Sequence, residues 1–225
     1  MLSITLFKRP SVFALAAFVA APLACPAPCN PPAVVVRNCS GCHGLQGRSQ
    51  LSYVPSLAGQ SAKYIETKLQ EFRQVPSPTV DEALRRHIDS WGAGRKQAIT
   101  PAASAHMIGI AKSVSDSDRK AAAGWYAAQT PSRTKSQKGS VFEQGHDLYV
   151  KGRQAQNVPA CQSCHGPEGQ GTAIAPRLAG QQAAYVLAQL NQFRLGSKAQ
   201  SPMTQIARSL EQNQVQAIAA YLHSR

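Results

Sequence analysis

The sequence predicts an all-α fold built from two tandem units of similar structure. Three observations favour this class: a residue pattern that occurs once in each half of the chain, apolar residues at helical spacing in both halves, and the lack of any strand-length run that alternates between apolar and polar residues. The 225 residues are enough for two small domains of roughly 100 residues each.

The strongest motif is Cys-x-x-Cys-His, which spans residues 39–43 and again residues 161–165. It is the attachment signature of c-type haem: two thiols add across the porphyrin vinyl groups, and the adjacent histidine coordinates the iron. The spacing places the sulfurs one turn apart, at the separation of the vinyl groups. We therefore predict two covalently bound haem c groups. The cysteines that bind them are Cys39, Cys42, Cys161 and Cys164, and the iron-ligating histidines are His43 and His165.

Other interpretations of the two motifs explain less. A structural zinc site needs four Cys or His ligands, whereas each motif offers three and has no further pair nearby. A thioredoxin-type redox pair follows a strand in an α/β pattern, which neither motif has. Structural disulfides would not explain the histidine that follows each cysteine pair.

The repeat extends well beyond the haem motifs. The segment Leu-Ala-Gly-Gln occurs at residues 57–60 and 178–181, with Pro55 and Pro176 at equivalent places before it. Further matches join Tyr64 with Tyr185, Leu69 with Leu190, Phe72 with Phe193, Arg73 with Arg194 and Trp125 with Tyr221. The chain is therefore interpreted as a duplicated domain with one haem in each copy.

Apolar spacing predicts the main helices of each copy. They cover residues 61–73 and 116–128 in the first copy and residues 141–151, 182–194 and 212–223 in the second. Ser115, three residues before Asp118, is the predicted capping residue of the helix over 116–128. Residues 131–140, rich in Ser, Lys and Arg, form the predicted linker between the copies.

The chain has two methionines besides the initiator, Met107 and Met203, and they fall at equivalent places in the two copies. A methionine at helical spacing is usually core filling, but one methionine per haem copy favours ligation of each iron by the thioether. Such Met/His ligation raises the reduction potential. His87 and His106 lie near Met107 in the sequence and leave bis-histidine ligation open in the first copy.

Residues 1–24 have the pattern of an export signal, with basic residues before a short apolar run. A run of about ten apolar residues is too short to span a bilayer. Export agrees with the haem motifs, since bacterial c-type haem is attached outside the cytoplasm, and it predicts a periplasmic protein. Residues 25–32 form a Pro-rich tether. Cys25 has three open fates: lipidation with membrane association, a disulfide with Cys29, or removal with the signal.

Basic residues dominate the charge: 24 Lys and Arg against 11 Asp and Glu give a formal net charge of +13. They are dispersed along the chain and no nucleic-acid-binding motif accompanies them, which disfavours nucleic acid as a partner. Basic residues around an exposed haem edge instead favour acidic patches on redox protein partners.

Together these residues resemble the dihaem cytochrome c4 family, whose members join two class I cytochrome c domains in tandem. The resemblance covers residues 33–225 and rests on the two haem motifs, Met107, Met203 and the Leu-Ala-Gly-Gln segments. It implies a first cytochrome c domain over residues 33–130 and a second over residues 141–225, each wrapping one haem. The two domains of that family face each other across a pseudo-twofold axis.

The resemblance also implies contacts around each haem. The carbonyls of Pro55 and Pro176 would orient the motif histidines through the ring nitrogen that does not bind iron. Gly145 and Tyr149 look like the residues at which the opening helix of the second domain crosses its C-terminal helix near Tyr221.

The first copy departs from the family pattern in two ways. Few residues precede its cysteine pair, so its opening helix is expected to be short or absent. The segment before its methionine is also 25 residues longer than in the second copy, an insertion within residues 74–106. Three roles stay open for this insertion: a solvated loop over the haem edge, a docking surface for a partner, or the source of His87 as a competing ligand.

The resemblance implies an electron carrier rather than an enzyme. It would take single electrons from a quinol–cytochrome c reductase or a dehydrogenase and pass them to a terminal oxidase. Two alternatives stay open: a dedicated electron-transfer subunit of a dehydrogenase complex, and a dihaem peroxidase. The peroxidase would need one haem open or His-ligated, and the two matched methionines argue against it.

Overall fold

The computed structural model describes residues 30–76, 99–132, 139–195 and 201–225. Within these ranges the regular structure is helical, and pairing of strand type is confined to one isolated bridge between Arg153 and Val158. The predicted all-α class is confirmed. Among the same residues, no helix has both the length and the apolar character needed to cross a bilayer.

The first unit opens with a π-helical turn that leads directly into its haem motif. Its elements are the turn Val35–Cys39, α1 at Ser40–His43, α2 at Ala62–Gln74, α3 at Ile99–Ser113 and α4 at Asp116–Ala127. The Ser61 hydroxyl caps α2, and the Ser115 hydroxyl caps α4 by accepting from the N–H of Asp118. Helices α2 and α4 lie within one residue of their predicted bounds, and the predicted cap at Ser115 is confirmed.

The second unit has a full opening helix before its haem motif. Its elements are α5 at Ser140–Lys151, a 3₁₀ turn at Gln154–Gln156, α6 at Gln162–His165, α7 at Ala183–Arg194, α8 at Pro202–Ser209 and α9 at Gln212–His223. The three predicted helices, α5, α7 and α9, are confirmed to within one residue. A capping box between Glu211 and Gln214 begins α9 and was not predicted from the sequence.

Each unit has a hydrophobic core of its own. The first core contains Val34, Val35, Ile65, Val114, Ala122, Ala123, Trp125 and Tyr126. The second contains Leu148, Tyr149, Val158, Val186, Leu190, Ala207, Leu210, Val215, Ile218, Ala219, Tyr221 and Leu222. Val215, Ile218, Ala219, Tyr221 and Leu222 of α9 therefore pack into the second core.

Helix α5 crosses α9 at Gly145. A Cβ atom at Gly145 would lie 2.2 Å from the carbonyl oxygen of Ala217 and 2.8 Å from the Cβ of Tyr221, so only glycine allows this close approach. One turn along α5, the Tyr149 ring contacts the Tyr221 ring with centroids 5.3 Å apart. The crossing implied by the resemblance is present in the second unit.

The first unit differs from the second before its haem motif and in the segment before Met107, as expected. The insertion in that segment, however, is partly helical and is not a loop throughout. Within the described residues it has no counterpart of α5 before its motif. Residues 77–98 of its insertion lie outside the described residues, but from Ile99 onward the insertion is helical and forms the first half of α3. Met107 therefore lies inside a 15-residue helix, whereas Met203 lies in the first turn of the 8-residue α8.

Candidate haem sites

The two motif histidines are buried and are held in the same way. His43 and His165 end the short helices α1 and α6 and are 6% and 7% exposed. The Nδ1 atom of each ring lies 2.9 Å from a proline carbonyl oxygen, that of Pro55 for the first and that of Pro176 for the second. Because a carbonyl only accepts, each Nδ1 carries the proton and Nε2 keeps the lone pair. The contacts implied for the two prolines are present.

Burial also keeps both imidazoles neutral. Removal from water is the main cause that lowers the pKa of His43 and of His165, against a smaller upward effect of the proline carbonyl. A neutral imidazole offers the lone pair that iron ligation needs. The geometry and the electrostatics therefore suit both rings for the ligand role predicted from the motifs.

The motif cysteines differ in exposure at the two ends of each short helical turn. Cys39 and Cys161 are half-buried, and burial raises the pKa of each thiol to about 11. Cys42 and Cys164 are exposed, and none of the four motif cysteines forms a disulfide. Each motif thus presents two thiols for thioether bonds to a porphyrin. Cys25 lies outside the described residues, so its fate stays a prediction.

The two methionines occupy comparable but not identical places. Helix α3 packs on α2 as α8 packs on α7, so Met107 lies on the helix that packs against α2, and Met203 lies on the helix that packs against the equivalent α7. Both side chains are half-buried, and Met203 packs against the second core. Ligation of iron by Met107 and Met203 stays a prediction. So do the competing ligands, since His106 is exposed and His87 lies outside the described residues.

The residues present fit a haem c group in each unit. Each motif supplies two thiols and one neutral imidazole, and among the described residues no group of three or more His, Cys, Asp or Glu side chains could hold a bare metal ion. In the second unit the hydroxyls of Ser201 and Thr204, on either side of Met203, are buried without a hydrogen-bond partner in the described part of the chain. Buried hydroxyls normally have partners, and the carboxylates of a porphyrin would supply acceptors here.

Both units match the protein-family model described as Cytochrome c, over residues 32–123 and 142–225. With the duplicated haem motif and the buried histidines, this match shows that the chain is a c-type cytochrome made of two cytochrome c domains.

Individual relatives narrow that class. The chain is 33% identical over 190 residues to cytochrome c4 of Azotobacter vinelandii, which covers 82% of each chain. It is 32% identical over 199 residues to the thiosulfate dehydrogenase electron acceptor of Stutzerimonas stutzeri strain A1501, covering 85% of this chain and 79% of the relative. The solved structure of cytochrome c4 from Acidithiobacillus ferrooxidans matches with a TM-score of 0.67 at 29% identity, covering 84% of this chain and 99% of that one.

The chain therefore belongs to the dihaem cytochrome c4 family and carries two covalently bound haem c groups. The family, the tandem fold and the cofactor predicted from the sequence are confirmed.

The contacts between the two units were not predicted from the sequence. The side-chain amide of Gln181 accepts from the N–H of Ser56 at 3.0 Å and donates to the carbonyl of Ser56 at 2.6 Å. Gln60 makes the same two bonds to Arg177, at 3.0 and 3.1 Å. Ser56 and Arg177 each follow the proline that contacts the motif histidine, so the contacts are reciprocal, as a pseudo-twofold axis requires. The exact repetition of Leu-Ala-Gly-Gln was the available signal, but on its own it indicates only duplication.

Two further pairs lie at the same interface. Burial raises the pKa of Tyr64 to about 12 and raises that of Tyr185 as well, and the Tyr64 phenol adds to the shift at Tyr185. These matched tyrosines are therefore near each other across the interface. The Gln182 amide donates to the carbonyl of Ser49 at 2.7 Å. The contacts of Gln60, Gln181 and the two tyrosines thus use side chains that the two copies share, whereas the Gln182 contact does not.

Proposed function

We propose that this dihaem protein is a periplasmic carrier of single electrons and not an enzyme. It takes electrons from a quinol–cytochrome c reductase or a dehydrogenase and delivers them to a terminal oxidase. The observation that carries the proposal is the pair of buried motif histidines, each with Nδ1 held by a proline carbonyl and Nε2 left to bind iron. Relatives named cytochrome c4 support it.

The chain's own residues have defined parts in this proposal. His43 and Met107 ligate the first iron, and His165 and Met203 ligate the second. Bound haem supplies reversible one-electron exchange between ferric and ferrous iron. The protein fixes the tautomer of each imidazole, keeps both rings away from water, and offers thioether sulfurs that favour ferrous iron.

The proposed location follows from the haem attachment chemistry. Because bacterial haem c is attached outside the cytoplasm, residues 1–24 are proposed to be an export signal that precedes the tether over 25–32. The domains over 33–130 and 141–225 are joined by the linker 131–140. Association with the membrane is proposed only for a form lipidated at Cys25.

A second candidate is a dedicated electron-transfer subunit of a dehydrogenase complex. It is favoured by the relative named thiosulfate dehydrogenase electron acceptor. The net charge of +13 suits acidic patches on a partner in either case. A dihaem peroxidase is the weakest candidate, because it requires one haem without a methionine ligand.

Electron transfer to and from purified partners separates the first two candidates. Stopped-flow absorbance would follow reduction of the protein by a quinol–cytochrome c reductase or by thiosulfate dehydrogenase with thiosulfate, and its reoxidation by a terminal oxidase. A mobile carrier is expected to react with both donor and oxidase, at rates that fall as ionic strength rises. Isolation only as a tight complex with one dehydrogenase, with no reaction at the oxidase, would contradict it.

The methionine ligands have a matched pair of tests. Met203→Ala is expected to lower the potential of the second haem and to abolish its far-red Met–iron absorption band, because the soft sulfur that favours ferrous iron is lost. Met107→Ala is expected to do the same at the first haem. A redox titration that stays unchanged in either variant would exclude that methionine as a ligand.

A further inference from the structure

A chain of hydrogen bonds leads from the second unit to the motif histidine of the first. Gln181 Oε1 accepts from the N–H of Ser56 at 3.0 Å, and that N–H belongs to the same peptide group as the carbonyl of Pro55. The Pro55 carbonyl in turn accepts from Nδ1 of His43 at 2.9 Å. One peptide group therefore joins a side chain of one unit to the histidine of the other.

The same chain runs in the opposite direction. Gln60 Oε1 accepts from the N–H of Arg177 at 3.0 Å, and the peptide group of that N–H carries the Pro176 carbonyl. This carbonyl accepts from Nδ1 of His165 at 2.9 Å. The connection is therefore duplicated along with the domain.

Both glutamines are held in a single orientation. Gln60 and Gln181 are 4% and 6% exposed, and each uses its oxygen on an N–H and its nitrogen on a carbonyl of the same partner residue. A flipped amide would set oxygen against oxygen and N–H against N–H. Each acceptor is thus fixed on the peptide group that holds the histidine.

Polarisation of the peptide group links each glutamine to the reduction potential of a haem. When the N–H of a peptide group donates a hydrogen bond, its carbonyl becomes a stronger acceptor. A stronger acceptor on Nδ1–H makes an imidazole a more basic ligand. A more basic ligand stabilises ferric iron and lowers the reduction potential.

We propose that Gln60 and Gln181 are positioning residues that act crosswise: each lowers the reduction potential of the haem held by the other unit. This inference rests on the proposed ligation of iron by His43 and His165. It makes the tuning of each haem depend on correct docking of the two units. The effect of Gln181 is the larger one, because Gln60 Oε1 is shared with the N–H of Ser61 at 3.1 Å and the second bond of Gln60 is longer.

The test replaces each glutamine by methionine, which keeps the volume and removes both hydrogen bonds. Redox titration followed by proton NMR, with the haem methyl signals of the two units separately assigned, reads each potential. Gln181→Met is expected to shift the reduction equilibrium of the first haem toward ferrous iron by about two- to threefold, or roughly 20–30 mV at 59 mV per tenfold. The second haem is expected to keep its potential.

Gln60→Met is expected to raise the potential of the second haem alone, by a smaller amount. It tests the proposal independently if Gln181→Met folds poorly. A second readout is the Nδ1–H proton shift in the reduced protein, which should move upfield for His43 in Gln181→Met and for His165 in Gln60→Met. Gln181→Glu keeps an acceptor for the N–H of Ser56. The potential of the first haem in this variant should therefore be no higher than in the wild type.

Gln182→Met is the matched control. It removes the hydrogen bond between the units from Gln182 to the carbonyl of Ser49, and this carbonyl does not accept from a motif histidine. It is expected to leave both potentials in place. Equal shifts at both haems, a shift in the haem of the mutated unit, or the same shift in the control would overturn the proposal. A wild-type spectrum without low-spin, His-ligated haems would instead refute the proposed function; a normal wild-type spectrum with no crossed shift refutes only this inference.

Discussion

The two units use different helices to donate a hydrogen bond to an equivalent backbone carbonyl. The glycine after each motif histidine, Gly44 or Gly166, has a carbonyl that accepts from a tyrosine hydroxyl. In the second unit this is Tyr149 of the opening helix α5, at 2.5 Å. In the first unit, which has no such helix among the described residues, it is Tyr126 of the C-terminal helix α4, at 3.3 Å. Each carbonyl also accepts from a backbone N–H, that of Gly47 or Gly169. The comparison teaches that both units add a tyrosine hydroxyl to this carbonyl beside the haem ligand, whereas the helix that supplies the hydroxyl differs.

The C-terminal helices show the same exchange. Trp125 and Tyr221 occupy the same position of their 12-residue helices. The ring of Tyr221 packs against Phe142 and Tyr149 of α5, with centroids 5.3 Å apart in both contacts. The indole N–H of Trp125 instead donates to the carbonyl of Leu45 at 2.8 Å. At this position the first unit therefore has a hydrogen bond to the segment after its haem motif, whereas the second unit has a cluster of aromatic rings.

The largest expected effect comes from breaking the crossing of α5 and α9, which has no counterpart among the described residues of the first unit. Gly145→Ala places a methyl group 2.2 Å from the Ala217 carbonyl and is expected to lower the free energy of unfolding of the second unit by about 3 kcal/mol. Thermal unfolding followed at the haem absorbance of each unit measures this loss.

The matched control is Gly124→Ala in α4, where a Cβ meets no atom within 4 Å. This change is expected to be neutral or to stabilise the first unit by up to about 1 kcal/mol, since alanine loses less backbone entropy in a helix. Equal destabilisation by the two substitutions would show that the crossing is not specific to the second unit.

Removing the tyrosine hydroxyls sharpens the comparison of the two glycine carbonyls. Tyr149→Phe and Tyr126→Phe each remove the side-chain donor of one carbonyl, which keeps its backbone donor, the N–H of Gly169 or Gly47, so each is expected to cost about 1 kcal/mol. The loss should be larger for Tyr149→Phe, whose hydrogen bond is shorter. Urea unfolding midpoints measure both values. If either variant kept full stability, the tyrosine hydroxyl of that unit would not contribute to stability through this hydrogen bond.

The smallest expected effect is an acid dependence present in both units. A hydrogen bond from Arg73 is the main cause that lowers the pKa of Asp116 in the first unit, and one from Lys151 is the main cause for Asp147 in the second. Because these pKa values lie below the unfolded value of 3.8, the stability they contribute is present above about pH 4 and is lost as the pH falls.

Asp116→Asn and Asp147→Asn should each reduce the change in urea midpoint between about pH 6 and about pH 3. Asp116 is exposed and Asp147 is partly exposed, so the effect should be small and should weaken further in high salt. An unaltered pH dependence in both variants would mean that these ion pairs do not contribute to stability.

Much of the fold could be predicted because its signals are local. The apolar spacing of α2, α7 and α9 and the capping serine before α4 are set by neighbouring residues, and these elements lie within one residue of their predicted bounds. Helix α3 was not predicted at all, and residues 99–106, which form its first half, were counted with an insertion that has no match in the second copy. Duplication was the main guide, and it fails where one copy has no counterpart.

The haem-binding residues of the candidate sites could be predicted from the sequence, but several contacts around them could not. The cysteines and histidines are fixed by a five-residue motif, so they could be named from the sequence. The crossed contacts of Gln60 and Gln181 join residues 117 and 125 positions apart, and a bond between a side chain and a distant backbone leaves no periodic signal. The exchange of Tyr149 for Tyr126 was hidden for a related reason, since the two residues are not matched in the repeat.

The central claim is that both units carry a haem whose iron exchanges one electron. Reductive titration of the purified mature protein, with oxygen excluded, counts the electrons taken up per chain and can be read against the haem content of the same sample. We expect two haems and two electrons per chain, taken up in one-electron steps. A colourless protein, or one that takes up a single electron per chain, would contradict the account.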